Sequence, residues 1–363
     1  MKVRAVDIYS FDIPLRQPFK ISIGTMYGAN DVLVRVETDA GIVGWGEACP
    51  FPPITGETQE TNLAVARNLR GLLVGSDPLA VGAFLRSAGR LINANPSVVA
   101  AFDMALHDIA GRAAGLPLFR LLGGEMTVIE TDITADLDSP ENMAERARGF
   151  LAAGFRKVKV KVGQDPALDL ARLTAIRRAV GGGCAISIDA NQGWSVAQAI
   201  LALGSMGDLR IDFVEQPVAA WDLAGLREVR RRSPIPIMAD ESLFTPHDAI
   251  RLVRSEACDY FNIKLMKCGG IRNALKIAHI AESAGIPCMV GCMLETRLAL
   301  TAAAHLMAAE RNIVFADLDG HTSHAIDPII GGMRLDGGTI TLPETPGLGA
   351  EVDPDFLRNL KKA

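Results

Sequence analysis

Lys157-Val158-Lys159-Val160-Lys161-Val162-Gly163 alternates charged and apolar residues with the period of a strand. Residues 166–180 then carry a helical pattern, and 185–191 form a second short apolar run, Ala185-Ile186-Ser187-Ile188-Asp189-Ala190-Asn191. The same β-then-α unit recurs on both sides of this stretch. Strand candidates lie at 128–135, 157–163, 185–191, 212–217, 235–240, 260–265, 288–293 and 313–319. Helical patterns between them include 139–153, 166–180, 245–256, 270–284 and 295–309. Eight such units at a near-constant period of roughly 25 residues read as an α/β fold of the (β/α)8 TIM-type barrel class. A doubly wound open sheet is the alternative, but no Gly-rich dinucleotide fingerprint follows the first strand.

Upstream the texture differs. Residues 3–13 and 31–38 alternate, Asp39-Ala40-Gly41 makes a turn, and 42–47 return, giving an antiparallel meander. Helical patterns fill 57–121, including the run Val98 to Ala113, so residues 1–125 form an α+β domain. The barrel takes 126–341. Residues 342–363 are a Pro-rich tail that returns to the first domain. A net charge of −5 and pI near 5.8 speak against a nucleic-acid partner. No apolar run suits a bilayer and the start lacks a signal-peptide core, so a cytoplasmic protein without membrane contact is expected. Six cysteines without a repeating spacing read as free buried thiols, Cys288 and Cys292 included.

In a barrel of this class, functional groups sit at the C-terminal ends of the strands. The 157–163 run puts Lys157, Lys159 and Lys161 on one face. An edge strand with a solvated lysine face is the bland alternative, but a closed barrel has no edges. Buried together, these cations need carboxylates nearby. The next three strands end in Asp189, Glu215 and Asp240, 26 and 25 residues apart, one acid per unit. Any one alone would pass for a helix cap. Three at one rim repel each other unless a divalent cation joins them, and hard oxygen ligands suit Mg2+. Lys264 ends the following strand, four strands round from Lys161. Two bases would therefore face one substrate carbon from opposite sides, with Mg2+ and Lys159 stabilising charge on a neighbouring carboxylate. The positive surroundings would lower the lysine pKa towards a working range. On the last strand Asp317 and Asp319 point the same way and suit an ammonium group on the substrate.

As a set, these residues resemble the enolase superfamily, in its muconate lactonizing enzyme subgroup, over nearly the whole chain. Superfamily sites of this kind are known to pair a Lys or His base with Mg2+. Asp-Ala-Asn-Gln-Gly-Trp (189–194), Val-Glu-Gln-Pro (214–217), Met-Ala-Asp-Glu-Ser (238–242) and the Asp-x-Asp of 317–319 are most similar to the dipeptide epimerases. The resemblance implies a capping domain with specificity loops near 19–27 and 51–57, Mg2+ as cofactor, and a homo-oligomer. It also implies that Lys161 and Lys264 exchange the α-proton of a dipeptide's C-terminal residue, with Asp317 and Asp319 on its α-ammonium. Thr134, Gly24, Tyr27 and Ile54 complete the substrate-contacting set.

One departure bears on the substrate. The Ala-Glu epimerases place an arginine in the first capping loop, where this chain has Gly24 in Phe19-Lys20-Ile21-Ser22-Ile23-Gly24-Thr25-Met26-Tyr27. An apolar substrate side chain is expected, with Glu57 available for a cationic one as the second choice. Other reactions of the same scaffold remain open: N-succinylamino acid racemase, o-succinylbenzoate synthase and muconate cycloisomerase, whose acidic substrates Asp317 and Asp319 would repel. A sugar-acid dehydratase would want a His base, and His305, His321 and His324 do not stand where the barrel places one. A catalytically dead binding scaffold fits poorly with a complete set of bases and ligands. Glu241 and Glu295 are expected as polar rim residues, Trp194 and Trp221 as packing, and Gly269-Gly270 as a close approach to substrate.

Overall fold

The computed structural model describes residues 1–125 and 128–363, so the residue proposed to open the barrel region, 126, lies outside the described residues. The chain opens with an antiparallel meander of β1 (Val3–Ile21), β2 (Gly24–Thr38) and β3 (Val43–Ala48). Its alternating apolar side, including Val32, Val34 and Val36, is buried against the helices Gln59–Leu73, Val81–Leu91 and Pro96–Ala114. Two strands run further than expected: the 19–27 segment is the tip of the β1–β2 hairpin, with Ile21 opposite Gly24.

After β4 (Val128–Glu130) come the barrel strands β5 (Ile133–Ala135), β6 (Lys157–Lys161), β7 (Ala185–Asp189), β8 (Ile211–Glu215), β9 (Ile237–Ala239), β10 (Tyr260–Ile263), β11 (Cys288–Val290) and β12 (Ile313–Ala316). They lie side by side in one eight-stranded sheet, in chain order. Every pairing is parallel, with an α-helix after each of β5 to β11 and a short 3-10 turn, Gly320–Ser323, after β12. The ends of the sheet meet. The Asp132 amide donates to the Ala316 carbonyl at 3.2 Å, and the Leu318 amide donates to Thr131 Oγ1 at 2.9 Å. The fold is the expected (β/α)8 barrel with an N-terminal α+β cap.

Two details differ from the sequence reading. The 128–135 candidate breaks at Thr131-Asp132, because those residues are used to close the barrel on β12. β4 therefore leaves the barrel. After β13 (Ile329–Gly331) and β14 (Arg334–Asp336), β15 (Thr339–Thr341) pairs with β4 in a separate three-stranded sheet. Most barrel strands are also shorter than their candidates, so Asp240, Lys264 and Asp317 stand just past their strand ends.

The cap is tied over the barrel mouth by specific bonds. Glu47 on β3 accepts from the Thr296 amide (2.8 Å), the Thr296 hydroxyl (2.7 Å) and the Ala299 amide (3.1 Å) at the start of the helix Arg297–Ala309. A carboxylate at a helix N-terminus satisfies amides that have no partner within the helix. The hairpin tip is pinned by Ser22 Oγ, which donates to the Ala190 carbonyl at 3.0 Å. The chain's tail pairs back with β1, where the Ser10 amide donates to Lys361 and the Ala363 amide to Ile8.

Candidate active site

Strand alternation and barrel closure set the lysines of β6. Lys157, at the strand's start, pairs with Glu130 at 3.2 Å and is partly exposed, whereas Lys159 and Lys161 point into the barrel mouth and are buried. Lys159 Nζ lies 2.7 Å from Glu215 Oε2, 2.7 Å from Asp317 Oδ2 and 3.1 Å from Asp189 Oδ2. Lys161 Nζ donates to Asp189 Oδ2 at 2.6 Å. Across the mouth, Lys264 Nζ lies 2.9 Å from Asp240 Oδ2 and 4.0 Å from Glu215 Oε1. Gly291 leaves room for that side chain: a Cβ there would come within 3.1 Å of Lys264 Cε.

Asp189, Glu215 and Asp240 are completely buried, and one carboxylate oxygen of each lies within 4.8 Å of the other two. Their remaining oxygens are held from outside. Asp189 Oδ1 accepts from the Asn191 amide at 2.9 Å, and Glu215 Oε1 accepts from Asn262 Nδ2 at 2.7 Å. Gln216 turns the chain sharply after Glu215 at φ 36°, a left-handed conformation that costs a non-glycine residue about 1 kcal/mol or more. Its side-chain oxygen accepts from the Asp240 and Ser242 amides at 3.0 and 3.1 Å, which straps β8 to the end of β9. Glu215 Oε2 and Asp240 Oδ2 have ammonium groups nearby but no hydrogen bond of good geometry. Buried anionic oxygens left in that state fit a hard divalent cation.

Charge at the mouth is strongly coupled. Burial and the neighbouring Asp189 push Glu215 up to about 8. Burial also opposes ionisation of Asp189, but Lys161, Lys159 and Lys264 outweigh it and hold that carboxyl down at about 2. For Lys159 and Lys264 the shift runs opposite to the lowering expected from the sequence. Burial pulls Lys159 and Lys264 down, and the surrounding acids more than reverse it, holding both above the ordinary lysine value.

Asp317 and Asp319 follow β12 and are buried beside Asp132. Asp319 Oδ2 accepts from the Thr134 amide at 2.6 Å, and burial with Asp317 pushes Asp319 up to about 6. Cys292 lies with these two acids in a second group whose ligand atoms fall within 4.8 Å. Lys159 already occupies Asp317, so this group is poorly disposed to a second metal.

Lys159, Lys161, Lys264, Cys292, Asp317 and Asp319 border one cavity of about 570 Å3, a volume suited to a small ligand, and Asp189, Glu215 and Asp240 are buried behind the lysines. Lys159, Lys161, Lys264, Asp317 and Asp319 form its charged floor. The cap adds Phe19, Ile21, Gly24, Met26, Tyr27, Phe51 and Ile54, and Thr134 lines it from β5. Tyr27 is 76% exposed on the outer hairpin, and Gly24 faces open space, with nothing within 4 Å of the point where a Cβ would stand.

Several other expectations are corrected. Glu57 is not available to a ligand: its buried carboxylate accepts from the Ser97 amide (3.2 Å) and hydroxyl at the start of the helix Pro96–Ala114. Trp221 is 84% exposed rather than packed, whereas Trp194 is buried. Gly270 serves packing, since a Cβ there would strike Asp103 of the long cap helix at 2.4 Å. His305, by contrast, stands as expected, bound between the Phe119 amide and the Leu348 carbonyl away from the lysines. Two residues of the mouth carry no role in the sequence reading. Asp132 lay inside a strand candidate, and the only signal for Lys267 was its spacing from Lys264.

Fold and site together define a capped (β/α)8 enzyme of the enolase type. Residues 4–123 match the "Mandelate racemase / muconate lactonizing enzyme, N-terminal domain", and residues 142–356 match "Enolase C-terminal domain-like". The chain is 43% identical to the L-Ala-D/L-Glu epimerase of Clostridium acetobutylicum, over 97% of this chain and 99% of that one. It is 42% identical to the hydrophobic dipeptide epimerase of Enterococcus faecalis, over 96% and 99%. The structure of the dipeptide epimerase from Cytophaga hutchinsonii, complexed with Mg and D-Ala-L-Val, superposes with a TM-score of 0.98 at 41% identity, covering 100% and 99%. The chain belongs to the enolase superfamily and, within its mandelate racemase/muconate lactonizing enzyme group, to the dipeptide epimerase family.

Proposed function

We propose that this isomerase inverts the α-carbon of the C-terminal residue of a dipeptide by a 1,1-proton transfer between Lys161 and Lys264, and that the residue inverted carries an apolar side chain. The observation that carries the reading is that both lysines border one cavity from strands half a barrel apart, with three buried acids on the strands between.

Asp189, Glu215 and Asp240 are the residues that would hold Mg2+, which when bound supplies positive charge to a substrate carboxylate and so acidifies the adjacent C–H bond. Lys159, in contact with Asp189, Glu215 and Asp317, adds a fixed charge at the same place. One lysine, neutral, takes the α-proton on its Nζ; the other, as an ammonium, gives a proton to the opposite face. Reversing the two roles runs the opposite inversion. Asp317 and Asp319 receive the substrate's α-ammonium, and the Thr134 amide fixes the Asp319 carboxylate. The cap hairpin, pinned by Ser22, covers the mouth and limits water.

The apolar preference rests on the cap wall. Among the described lining residues the cations are Lys159, Lys161 and Lys264, so none is left on the cap for a glutamate side chain. Glu57 is spent on a helix start, and Glu60, the acid the cap adds to the lining, is exposed. The remaining assignments of the reading are a cap of residues 1–125, a barrel of 126–341, a returning tail of 342–363, a cytoplasmic location and a homo-oligomer. No described helix is long and apolar enough to cross a membrane.

The test is incubation of the Mg2+-supplemented protein with a library of L,L-dipeptides in deuterated water. Deuterium should enter the C-terminal α-position with inversion, fastest for apolar residues there. A library in which no dipeptide exchanges sinks the proposal.

A further inference from the structure

Lys267 follows Lys264 by three residues on the one-turn helix Leu265–Cys268, yet it does not border the cavity. Its side chain is fully buried. Its three N–H donors meet three acceptors: Asp240 Oδ1, the Asp240 carbonyl at 2.5 Å and the Asn262 carbonyl at 3.1 Å. The Phe244 ring lies 5.8 Å from the same ammonium.

The Asp240 carboxylate is thereby divided. Oδ1 is taken by Lys267, while Oδ2 lies 2.9 Å from Lys264 and lacks a hydrogen bond of good geometry. An aspartate carboxylate otherwise turns broadly about its last torsion and offers either oxygen or both. An ammonium anchored to one carbonyl just past β9 and another within β10 removes that freedom. Groups behind a metal ligand commonly set its orientation in this way.

We propose that Lys267 is a positioning residue that locks Asp240 so that Oδ2 alone faces Asp189 and Glu215, as a one-oxygen ligand for a divalent cation. With Oδ1 occupied, Lys264 has only Oδ2 to hold, the oxygen the cation would share. The inference rests on the reading of the three acids as a Mg2+ site.

The experiment is calorimetric titration of the chelator-treated, full-length protein with Mg2+, for wild type, Lys267→Met, Asp240→Asn and the double variant. kcat and KM for a turned-over dipeptide are measured alongside at saturating Mg2+. Lys267→Met should weaken Mg2+ binding by about 10-fold or more and lower kcat, with KM held within about 2-fold. The double variant should bind Mg2+ no worse than Asp240→Asn, because the two residues act as a unit. Wild-type Mg2+ affinity in Lys267→Met, or losses that simply add in the double variant, overturns the proposal. If Lys267→Met does not fold, Lys267→Gln, neutral but still a donor, takes its place: weakened Mg2+ binding supports the assignment and unchanged binding overturns it. A wild-type protein that binds no Mg2+ overturns the metal reading itself, which separates that failure from this one.

Discussion

The floor and the wall of the cavity are built on opposite principles. On the floor and directly behind it, Lys159, Lys161, Lys264, Asp317, Asp189, Glu215 and Asp240 are buried and each touches at least one group of opposite charge, while Asp319 is held by the Thr134 amide. On the wall, Phe19, Ile21, Met26, Phe51 and Ile54 come from a hairpin and a one-turn helix of the cap and present apolar surface. Removing one member of the floor leaves a partner charged, buried and unpaired, which is far costlier than trimming an apolar side chain at a cavity. The floor is therefore intolerant of change and, on the proposed function, specifies the chemistry. The wall is tolerant and, on the proposed function, specifies the substrate.

The sharpest way to break this division is to delete a base. Lys161→Met or Lys264→Met should lower epimerisation by roughly 10^3-fold or more, the scale of positioned acid–base catalysis. Mg2+ affinity, followed by calorimetry, should stay within about tenfold, because neither lysine is a ligand. Proton NMR in deuterated water then separates the two faces: each variant should lose exchange of one configuration more than the other. Equal loss from both would show that the lysines are not opposed across the substrate carbon.

A smaller effect is expected at the acid pair beside β12. Asp319→Asn keeps the shape and the Thr134 contact site but removes one charge facing the α-ammonium. It should cost about 10- to 100-fold in kcat/KM, or about 1.4–2.7 kcal/mol. Most of that loss should appear in KM, and an N-acetylated dipeptide, which carries no ammonium, should be equally poor with both proteins. A variant indistinguishable from wild type on free dipeptides would remove Asp319 from the substrate site.

Glu215 gives a pH dependence that belongs to the floor alone. Its carboxyl is raised to about 8 by burial and Asp189, so below that pH it carries a proton that Mg2+ binding must displace. Mg2+ affinity should rise with pH, by up to about tenfold per unit below 8, and level off above it. Titrations between pH 6.5 and 9 with proton-release measurements check this. Affinity that is flat or falls over that range contradicts it.

How much of this was legible in the sequence follows the same line. One acid at the end of each of three successive apolar strands, and Lys264 on the next, could be read because strand ends fix both depth and direction in a closed barrel. The break at Thr131-Asp132 could not, because it depends on how the two ends of the sheet meet. Lys267 was obscured for a similar reason: its partners are the carbonyls of Asp240, just past β9, and Asn262, within β10, which are joined only by folding. Glu57 misled because a loop carboxylate beside a specificity segment looks free until the helix start at Ser97 is placed against it. Wall residues are read from composition, and composition says apolar without saying which side chain faces inward.

Gly24 offers the mildest and most specific challenge to the wall. It sits at the start of β2 opposite Ile21 and lines the cavity, and a side chain added there meets nothing within 4 Å. Gly24→Arg should therefore fold with little change in Tm. It would place a guanidinium on a wall whose described residues include no cation, and a guanidinium pairs a carboxylate through two parallel hydrogen bonds. Exposed to solvent at the hairpin tip, that pair should be worth about 1 kcal/mol. The expected result is a shift of roughly fivefold in relative kcat/KM towards dipeptides with a C-terminal glutamate and away from those with leucine or valine. Chemistry at the floor should not change: exchange on the preferred substrate should keep its kcat within about twofold, and Mg2+ affinity should match wild type. A variant that gained glutamate while losing Mg2+ affinity would show that wall and floor are coupled, and would break the division between substrate choice and proton transfer.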